Sequence, residues 1–248
     1  LTEIEVKSAL CKSRISGVEY VINPYIGCAH GCRYCYARFM SKWSRHHPGS
    51  PWGSFVEVKV NLPELLAKEL RSKKKRATVL LSSVCDPYQP AEARYQLTRQ
   101  CLLHLVEFGW GIEVLTRSPL VARDMDIFQK SPDAVVGFSI PTDDDDVRKV
   151  LDPHSPFIPA LVEALKKLHS QGIKTWVFIA PVLPMHPATL AAAIHPYVDH
   201  VLIDRLNYRQ SVAHLFHMKR WDLALSDEYA RQTAAHLIHL LEGKAKTI

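Results

Sequence analysis

Three of the six cysteines lie close together in the chain, at Cys28, Cys32 and Cys35. The thiolate is the form of cysteine that binds metal. Three thiolates on one loop can hold three irons of a cubane cluster, which leaves the fourth iron open to a substrate or cofactor. A structural zinc site normally has four ligands, and an electron-transfer cluster normally has four cysteines. The spacing therefore predicts a cluster with an open iron, unless His30, Cys11 or a distant residue supplies a fourth ligand.

The composition is that of a folded, globular protein. The chain has 248 residues, of which 47% are hydrophobic and 23% are charged, and this balance excludes disorder, collagen and coiled coil. No apolar stretch approaches the roughly 20 residues of a membrane span, and the first 13 residues are too polar for a signal peptide. We therefore expect a soluble, cytoplasmic protein that is not bound to a membrane. In a reducing compartment the cysteines serve metal or redox chemistry more often than disulfides.

The net charge is +6, from 31 Lys and Arg against 25 Asp and Glu. This charge permits a polyanionic partner without requiring one. The densest basic run, residues 71–76, precedes an apolar strand. We interpret it as a solvated helix end on the side of the barrel opposite the active site.

The chain alternates strand and helix patterns. Predicted strands cover residues 20–22, 77–84, 111–116, 134–140, 174–180 and 198–203, and the helices between them include a continuous one over 91–108. Apolar strands joined by helices indicate parallel pairing with right-handed crossovers. About six core strands predict an α/β fold, a partial (β/α)6 TIM-type barrel. We expect a single domain over residues 1–248, with the barrel core at about 20–204 and a helical tail at about 205–248.

The cysteine segment resembles the signature of the radical SAM superfamily. That signature is Cys-x3-Cys-x2-Cys with an aromatic residue before the third cysteine, and Tyr34 occupies the aromatic position. Three stretches resemble the spore photoproduct lyase-like branch of this superfamily. They are residues 23–38, which contain the cysteine motif, and residues 86–90 and 116–120. Members of this branch are often described as DNA repair photolyase-like.

The resemblance implies a radical SAM core and an enzyme. Its cofactors would be a 4Fe-4S cluster, held by Cys28, Cys32 and Cys35, and S-adenosylmethionine. Reductive cleavage of S-adenosylmethionine would give methionine and a 5′-deoxyadenosyl radical that abstracts hydrogen from a substrate. The resemblance also implies a reductant such as flavodoxin or ferredoxin, and a nucleic acid or nucleotide as substrate. We expect a monomer.

Two other functions remain open on the sequence alone. One is a radical SAM enzyme that acts on a small molecule or a peptide. The other is a non-catalytic iron-sulfur or zinc module that binds nucleic acid.

Residues at the carboxyl ends of the strands are the candidates for cofactor binding, because α/β folds bind ligands there. The Gly-Gly-Glu motif of many superfamily members is missing, so we expect Ser83 or Asp86 to bind the methionine amine. Arg117 would pair with the methionine carboxylate, and Ser139 would bind the ribose or the carboxylate. Tyr34 joins this set through its place in the signature. For Asp86, Arg117 and Ser139 the alternatives are a turn residue, a solvated cation and a core hydroxyl, respectively.

Cys85 is the candidate catalytic residue. The lyase branch uses a cysteine beside the substrate as a hydrogen-atom donor, and Cys85 occupies a similar place in the chain. The alternative is a small buried residue of a strand. We expect Cys101 to be a core residue and Cys11 to be inert. After the last strand, Asp204, Arg205 and Asn207 are placed for substrate contact.

Overall fold

The computed structural model describes all 248 residues and contains one eight-stranded and one three-stranded sheet. The strands are β1 (Thr2–Ile4), β2 (Cys11–Lys12), β3 (Tyr20–Ile22), β4 (Tyr25–Ile26), β5 (Glu57–Lys59), β6 (Thr78–Leu81), β7 (Gly111–Thr116), β8 (Val135–Ser139), β9 (Lys174–Ile179), β10 (His200–Ile203) and β11 (Ala245–Thr247). The α-helices are α1 (Leu62–Ser72), α2 (Pro90–Tyr95), α3 (Leu97–Glu107), α4 (Met125–Phe128), α5 (Asp145–Leu151), α6 (Ile158–Ser170), α7 (Pro187–Ile194), α8 (Ala213–Met218) and α9 (Asp227–Leu240). Short 3-10 helices occur at Tyr36–Lys42, Pro119–Asp124, His195–Tyr197, Arg209–Ser211 and Asp222–Leu225.

The large sheet has the strand order β11-β10-β9-β8-β7-β6-β3-β2. Its six inner strands, β3 and β6 to β10, pair in parallel. The strands at the two ends, β2 and β11, do not pair with each other, so the barrel stays open. This architecture confirms the predicted partial barrel with six core strands.

One core of 39 buried residues lies between the parallel strands and the helices. In β7 the burial alternates strictly along the strand, and Ile112 and Val114 point into this core. The helices bury one apolar face against it, as α1 does with Leu66 and Leu70. Burial of these apolar faces fixes the register of the strands, because a shift by one residue would turn every inward side chain to the other face of the sheet.

The predicted helix over residues 91–108 is two helices, α2 and α3. They meet at Gln96, which adopts a left-handed conformation with φ of +51°. The buried Glu92 carboxylate accepts hydrogen bonds from the backbone N–H groups of Thr98 (2.9 Å) and Arg99 (3.2 Å). These N–H groups lie in the first turn of α3 and have no partner within the helix. The helical spacing of apolar residues continues across this break, so the sequence pattern did not reveal it.

The segment after Asp204 contains α8 and α9, as well as a strand. The strand, β11, pairs in parallel with β10 and extends the sheet. The expected helical tail therefore also includes a sheet element. The helix α9 packs on α7 and brings Leu237 into the core.

The parallel strands all end at one edge of the sheet, which we call the carboxyl edge. Loops that follow β3, β6, β7, β8 and β10 meet there, and this edge is where α/β folds bind ligands. The basic run at residues 71–76 precedes β6 and therefore lies at the opposite edge. No helix has the length and apolar character needed to cross a bilayer.

Candidate active site

The three clustered cysteines lie on the loop that follows β3, at the carboxyl edge. Cys28 and Cys32 are buried, and Cys35 is half-buried. Two turns fold this cysteine loop. One is closed by the Gly31 N–H donating to the Cys28 carbonyl (3.2 Å), the other by the Cys35 N–H donating to the Cys32 carbonyl (3.1 Å). The short spacing in sequence thus becomes a compact loop that carries all three thiols.

Two glycines allow the cysteine loop its shape. Gly27 has φ of +86°, and a Cβ there would lie 2.4 Å from the Phe55 carbonyl oxygen. Gly31 has φ of +62°, and its Cα would lie 2.8 Å from a Cβ added at Gly53. The backbone of the segment that precedes β5 therefore packs directly on the cysteine loop, and only glycine fits at these contacts.

Gln89 fastens the cysteine loop to the segment after β6. Its fully buried amide accepts the Ala29 N–H (2.9 Å) and donates to the Gly27 carbonyl (3.2 Å). A second anchor is the hydrogen bond from the Arg33 N–H to the Leu151 carbonyl (2.9 Å). Sequence reasoning gave Gln89 no role, although it stands in the Asp-Pro-Tyr-Gln-Pro stretch that the resemblance singled out.

The surroundings of the thiols disfavour a free thiolate. Burial raises the pKa of Cys28, Cys32 and Cys35 above the ordinary value. The Arg117 guanidinium opposes this rise at Cys32 and Cys35, and the His30 backbone N–H opposes it at Cys28. A bound metal cation would provide the remaining compensation, because it replaces the thiol proton. The donor set and its environment therefore fit an iron-sulfur cluster.

No group of three or more His, Cys, Asp or Glu side chains is arranged around a single metal ion. A cubane cluster does not need such convergence, since each thiolate binds a different iron. The loop is thus compatible with a cluster without forming a mononuclear site.

A buried network of hydrogen bonds, formed by Tyr34, Arg117 and Asp152, lies beside the cysteine loop. The Tyr34 hydroxyl donates to Asp152 Oδ2 (2.6 Å), and Arg117 Nη1 donates to the same oxygen (3.0 Å). The guanidinium also lies over the Tyr34 ring, 5.6 Å from its centroid. Asp152 is almost fully buried, and its Oδ1 has no hydrogen-bond partner. Sequence reasoning proposed Tyr34 and Arg117 but missed Asp152, whose position at the end of α5 carries no recognisable signal.

Asp86 joins the loops that follow three strands. Its carboxylate accepts the Thr116 hydroxyl (2.7 Å) and the backbone N–H groups of Tyr88 (2.8 Å) and Arg117 (2.7 Å). His30 Nε2 lies 3.4 Å from the second oxygen. Burial alone would raise the pKa of Asp86, but the nearby His30 imidazole and the hydrogen bonds from Thr116 and Arg117 hold it below the ordinary value. The carboxylate is therefore ionised and already holds the loops together.

Ser83, Cys85 and Ser139 also lie at the carboxyl edge. Cys85 Sγ is 3.2 Å from Ser82 Oγ, and burial raises the pKa of this thiol to about 11, so it keeps its proton at neutral pH. The Ser83 carbonyl accepts the Tyr36 hydroxyl. Ser139 is buried at the end of β8. The structure thus brings the predicted site residues to one edge of one sheet.

A cavity of about 610 Å³ opens beside this edge, after the end of β10. We call it the cleft. Arg205 and Arg209 both donate to Asp227 Oδ1 at its wall. The remaining lining residues are Leu206, Asn207, Tyr208, Gln210 and Ser211. A cavity of this size suits a small molecule or a single nucleotide.

Comparison with known proteins identifies related sequences. The profile of the radical SAM superfamily matches residues 22–193. An uncharacterized protein of Methanocaldococcus jannaschii is 36% identical over 213 residues, which are 85% of this chain and 79% of that protein. An uncharacterized protein of Mycobacterium tuberculosis is 32% identical over 193 residues, which are 73% of this chain. The match covers 57% of the mycobacterial protein, so it extends over little more than half of that relative.

Solved structures share the fold. A variant of spore photoproduct lyase with bound AdoMet and dinucleoside spore photoproduct has a TM-score of 0.68 and 15% identity, over 99% of this chain and 80% of that chain. Streptococcus suis SuiB bound to its precursor peptide SuiA has a TM-score of 0.58 and 16% identity, over 92% of this chain and 48% of that chain.

The substitution Asp152→Ala should destabilise the protein strongly. It would leave the guanidinium of Arg117 buried without its anion, and loss of one partner from such a pair costs about 3–5 kcal/mol. Asp152→Asn keeps an oxygen for Tyr34 and should have an intermediate effect. Urea unfolding of the apoprotein measures the free energy of unfolding of each variant. The control is Asp146→Ala, which removes an exposed partner of Lys149. Equal effects of Asp152→Ala and Asp146→Ala would contradict a structural role for the network.

Proposed function

Because the chain belongs to the radical SAM superfamily, and is therefore a radical SAM enzyme whose cofactors are a 4Fe-4S cluster and S-adenosylmethionine, we propose that Cys28, Cys32 and Cys35 hold the cluster. The observation that supports this proposal is the cysteine loop, whose two turns carry all three cysteines at the carboxyl edge, near enough to Arg117 for its charge to lower the pKa of Cys32 and Cys35. When bound, the reduced cluster and S-adenosylmethionine supply a 5′-deoxyadenosyl radical that abstracts hydrogen from the substrate.

The residues around the loop orient it and neutralise its charge. Arg117 stays protonated, and its charge offsets that of the thiolates. Asp152 fixes the guanidinium in place through the bond to Nη1. Gln89 holds the backbone of the loop, and the Asp86 carboxylate lies against the side chain of His30 on that loop. A cluster and its ligands must be held rigidly, because the reacting atoms have to be positioned within fractions of an ångström.

The remaining candidates lie at the same carboxyl edge as the cysteine loop, and we propose that S-adenosylmethionine binds among them. In this proposal Ser83 or Asp86 binds its amine, Arg117 its carboxylate, Ser139 its ribose or carboxylate, and Tyr34 also contacts the cofactor. Asp86 supports this proposal with a charged carboxylate, which also accepts hydrogen bonds from Tyr88, Thr116 and Arg117.

Cys85 is proposed as the hydrogen-atom donor to the product radical. A donor thiol must keep its hydrogen, and the pKa of about 11 supports this for Cys85. In the step, the S–H bond breaks and a C–H bond forms on the product. The sulfur radical that remains takes an electron from a one-electron donor and a proton from solvent.

Nucleic acid or a nucleotide is the substrate class that we propose. The spore photoproduct lyase of similar fold is described with bound dinucleoside spore photoproduct, and the positive net charge of this chain is compatible with phosphate. SuiB, of similar fold, is described with a precursor peptide, so a peptide substrate is the second candidate. Radical SAM enzymes need a reductant. We propose flavodoxin or ferredoxin for this role, and the cytoplasm as the place of action.

Substitution of each clustered cysteine should remove the cluster. After anaerobic reconstitution, Cys28→Ala, Cys32→Ala and Cys35→Ala should each bind much less iron and sulfide than the unchanged chain, because a cubane with fewer protein thiolates is lost readily. The matched controls are Cys11→Ala and Cys101→Ala, which should keep the full cluster because Cys11 is exposed on β2 and Cys101 is buried in the core. Iron and sulfide analysis measures the result. Full loading of the Cys28, Cys32 and Cys35 variants would rule out the proposed ligand set.

The substitution Cys85→Ala should leave S-adenosylmethionine cleavage intact and change the product. Without the donor thiol, the product radical is quenched by other routes. Mass spectrometry of the products, with 5′-deoxyadenosine measured in the same samples, checks this expectation. Cys101→Ala is the control. An unchanged product would exclude Cys85 from the reaction.

A further inference from the structure

The segment directly after the third cysteine exposes three aromatic side chains. Tyr36, Phe39 and Trp43 are 51%, 46% and 69% exposed. The other exposed aromatic side chains of the protein are Phe157 and Tyr208. Aromatic residues are usually largely buried, and a group of exposed ones marks an interaction site more often than a single one does.

The same segment is basic and contains no acidic residue. The chain has no Asp or Glu between Glu19 and Glu57. Glu57 is buried, and its carboxylate accepts the Ser44 hydroxyl (2.6 Å) and the His46 N–H (3.1 Å), so it does not neutralise the surface. Three exposed cations of the segment form no salt bridge: Arg38, Lys42 and Arg45.

The segment begins at the candidate active site. Tyr36 follows Cys35, and its hydroxyl donates to the Ser83 carbonyl. The cleft, which Tyr208 lines, opens beside the same carboxyl edge. The aromatic segment therefore begins at the edge where the cysteine loop lies and the cleft opens.

Exposed rings among unpaired cations match the chemistry of a nucleic acid strand. Bases stack on aromatic side chains, and Arg and Lys bind the phosphates. Tyr36 and Phe39 are three residues apart on a 3-10 helix, which separates them by about 6 Å along its axis. Stacked bases in a duplex strand are only about 3.4 Å apart. Two neighbouring bases that stack on Tyr36 and on Phe39 must therefore separate from each other. A single strand allows this separation, whereas a duplex keeps its bases stacked.

We propose that the surface formed by Tyr36, Phe39 and Trp43 with Arg38 and Arg45, named here the aromatic-basic surface, binds single-stranded nucleic acid and leads it to the cleft. This inference rests on the proposed function, because it names the form in which the substrate arrives. An acidic reductant would be attracted by the same cations, but charge attraction would not require three exposed rings. The rings favour the nucleic acid.

Binding can be measured apart from catalysis by fluorescence anisotropy. The probes are labelled oligothymidylate and oligouridylate of about 20 nucleotides, longer than the site of one binding module, and a DNA duplex of the same length. The protein is the anaerobically reconstituted chain without S-adenosylmethionine. The two single strands distinguish DNA from RNA.

Three double variants separate stacking from charge. Phe39→Leu with Trp43→Leu keeps apolar surface and removes the rings. Arg38→Gln with Arg45→Gln removes two cations. Lys74→Gln with Lys75→Gln removes two cations at the opposite edge of the sheet and is the matched control for charge.

The unchanged chain should bind a single strand more tightly than the duplex. The leucine variant should bind it about 10-fold or more weakly, as expected for loss of base stacking. The glutamine variant at Arg38 and Arg45 should show a smaller salt dependence, by about 1.4 in the slope of log K against log salt. The Lys74 and Lys75 variant should bind like the unchanged chain.

Tighter binding of the duplex than of the single strands by the unchanged chain would overturn the inference. So would single-strand binding by the leucine variant that equals that of the unchanged chain. A third contradicting result is a leucine variant that loses binding to flavodoxin but still binds nucleic acid. Cleavage of S-adenosylmethionine by the unchanged chain, driven by dithionite without nucleic acid, is measured in parallel. Failure of that cleavage would count against the proposed function, whereas failure of binding alone would count only against the aromatic-basic surface.

Discussion

A buried thiolate is unstable without a compensating positive charge, and the site is organised around this constraint. Cys28 and Cys32 are enclosed by protein, and burial raises the pKa of both thiols. The Arg117 guanidinium stands next to Cys32, held by Asp152, and provides part of the compensation. A bound cluster would provide the rest. The three thiols would then be most stable when they bind iron.

The parallel sheet makes this arrangement possible. Because its six inner strands end at one edge, loops distant in sequence meet around the cysteine loop. Asp86 comes after β6, Thr116 ends β7, and Asp152 directly follows α5, which comes after β8. Each of these residues makes a hydrogen bond to another loop at this edge. Polar contacts therefore connect the loops to one another, next to the apolar core. The aromatic-basic surface extends from the same edge toward solvent, which connects the proposed binding of a strand to the place of chemistry.

The sequence predicted those features that depend on local spacing. The cysteine motif and the six core strands are patterns within short windows, and the residues named from strand ends do lie at the carboxyl edge. Features that depend on distant pairs were missed. Tyr34 and Asp152 are 118 positions apart, and nothing near Asp152 indicates a partner. The break at Gln96 depends on the buried Glu92 side chain, and the strand β11 depends on the exposed edge of β10. Exposure of Tyr36, Phe39 and Trp43 was likewise visible only in three dimensions.

The proposed cluster on the cysteine loop is a 4Fe-4S cluster with one iron open to S-adenosylmethionine. Electron paramagnetic resonance of the reconstituted, reduced protein, recorded before and after addition of S-adenosylmethionine, is the decisive measurement. We expect the signal of a reduced 4Fe-4S cluster, a change of that signal on addition, and formation of 5′-deoxyadenosine in the same sample. A chain that binds zinc in place of iron, or a cluster signal that S-adenosylmethionine leaves unchanged, would contradict the proposal.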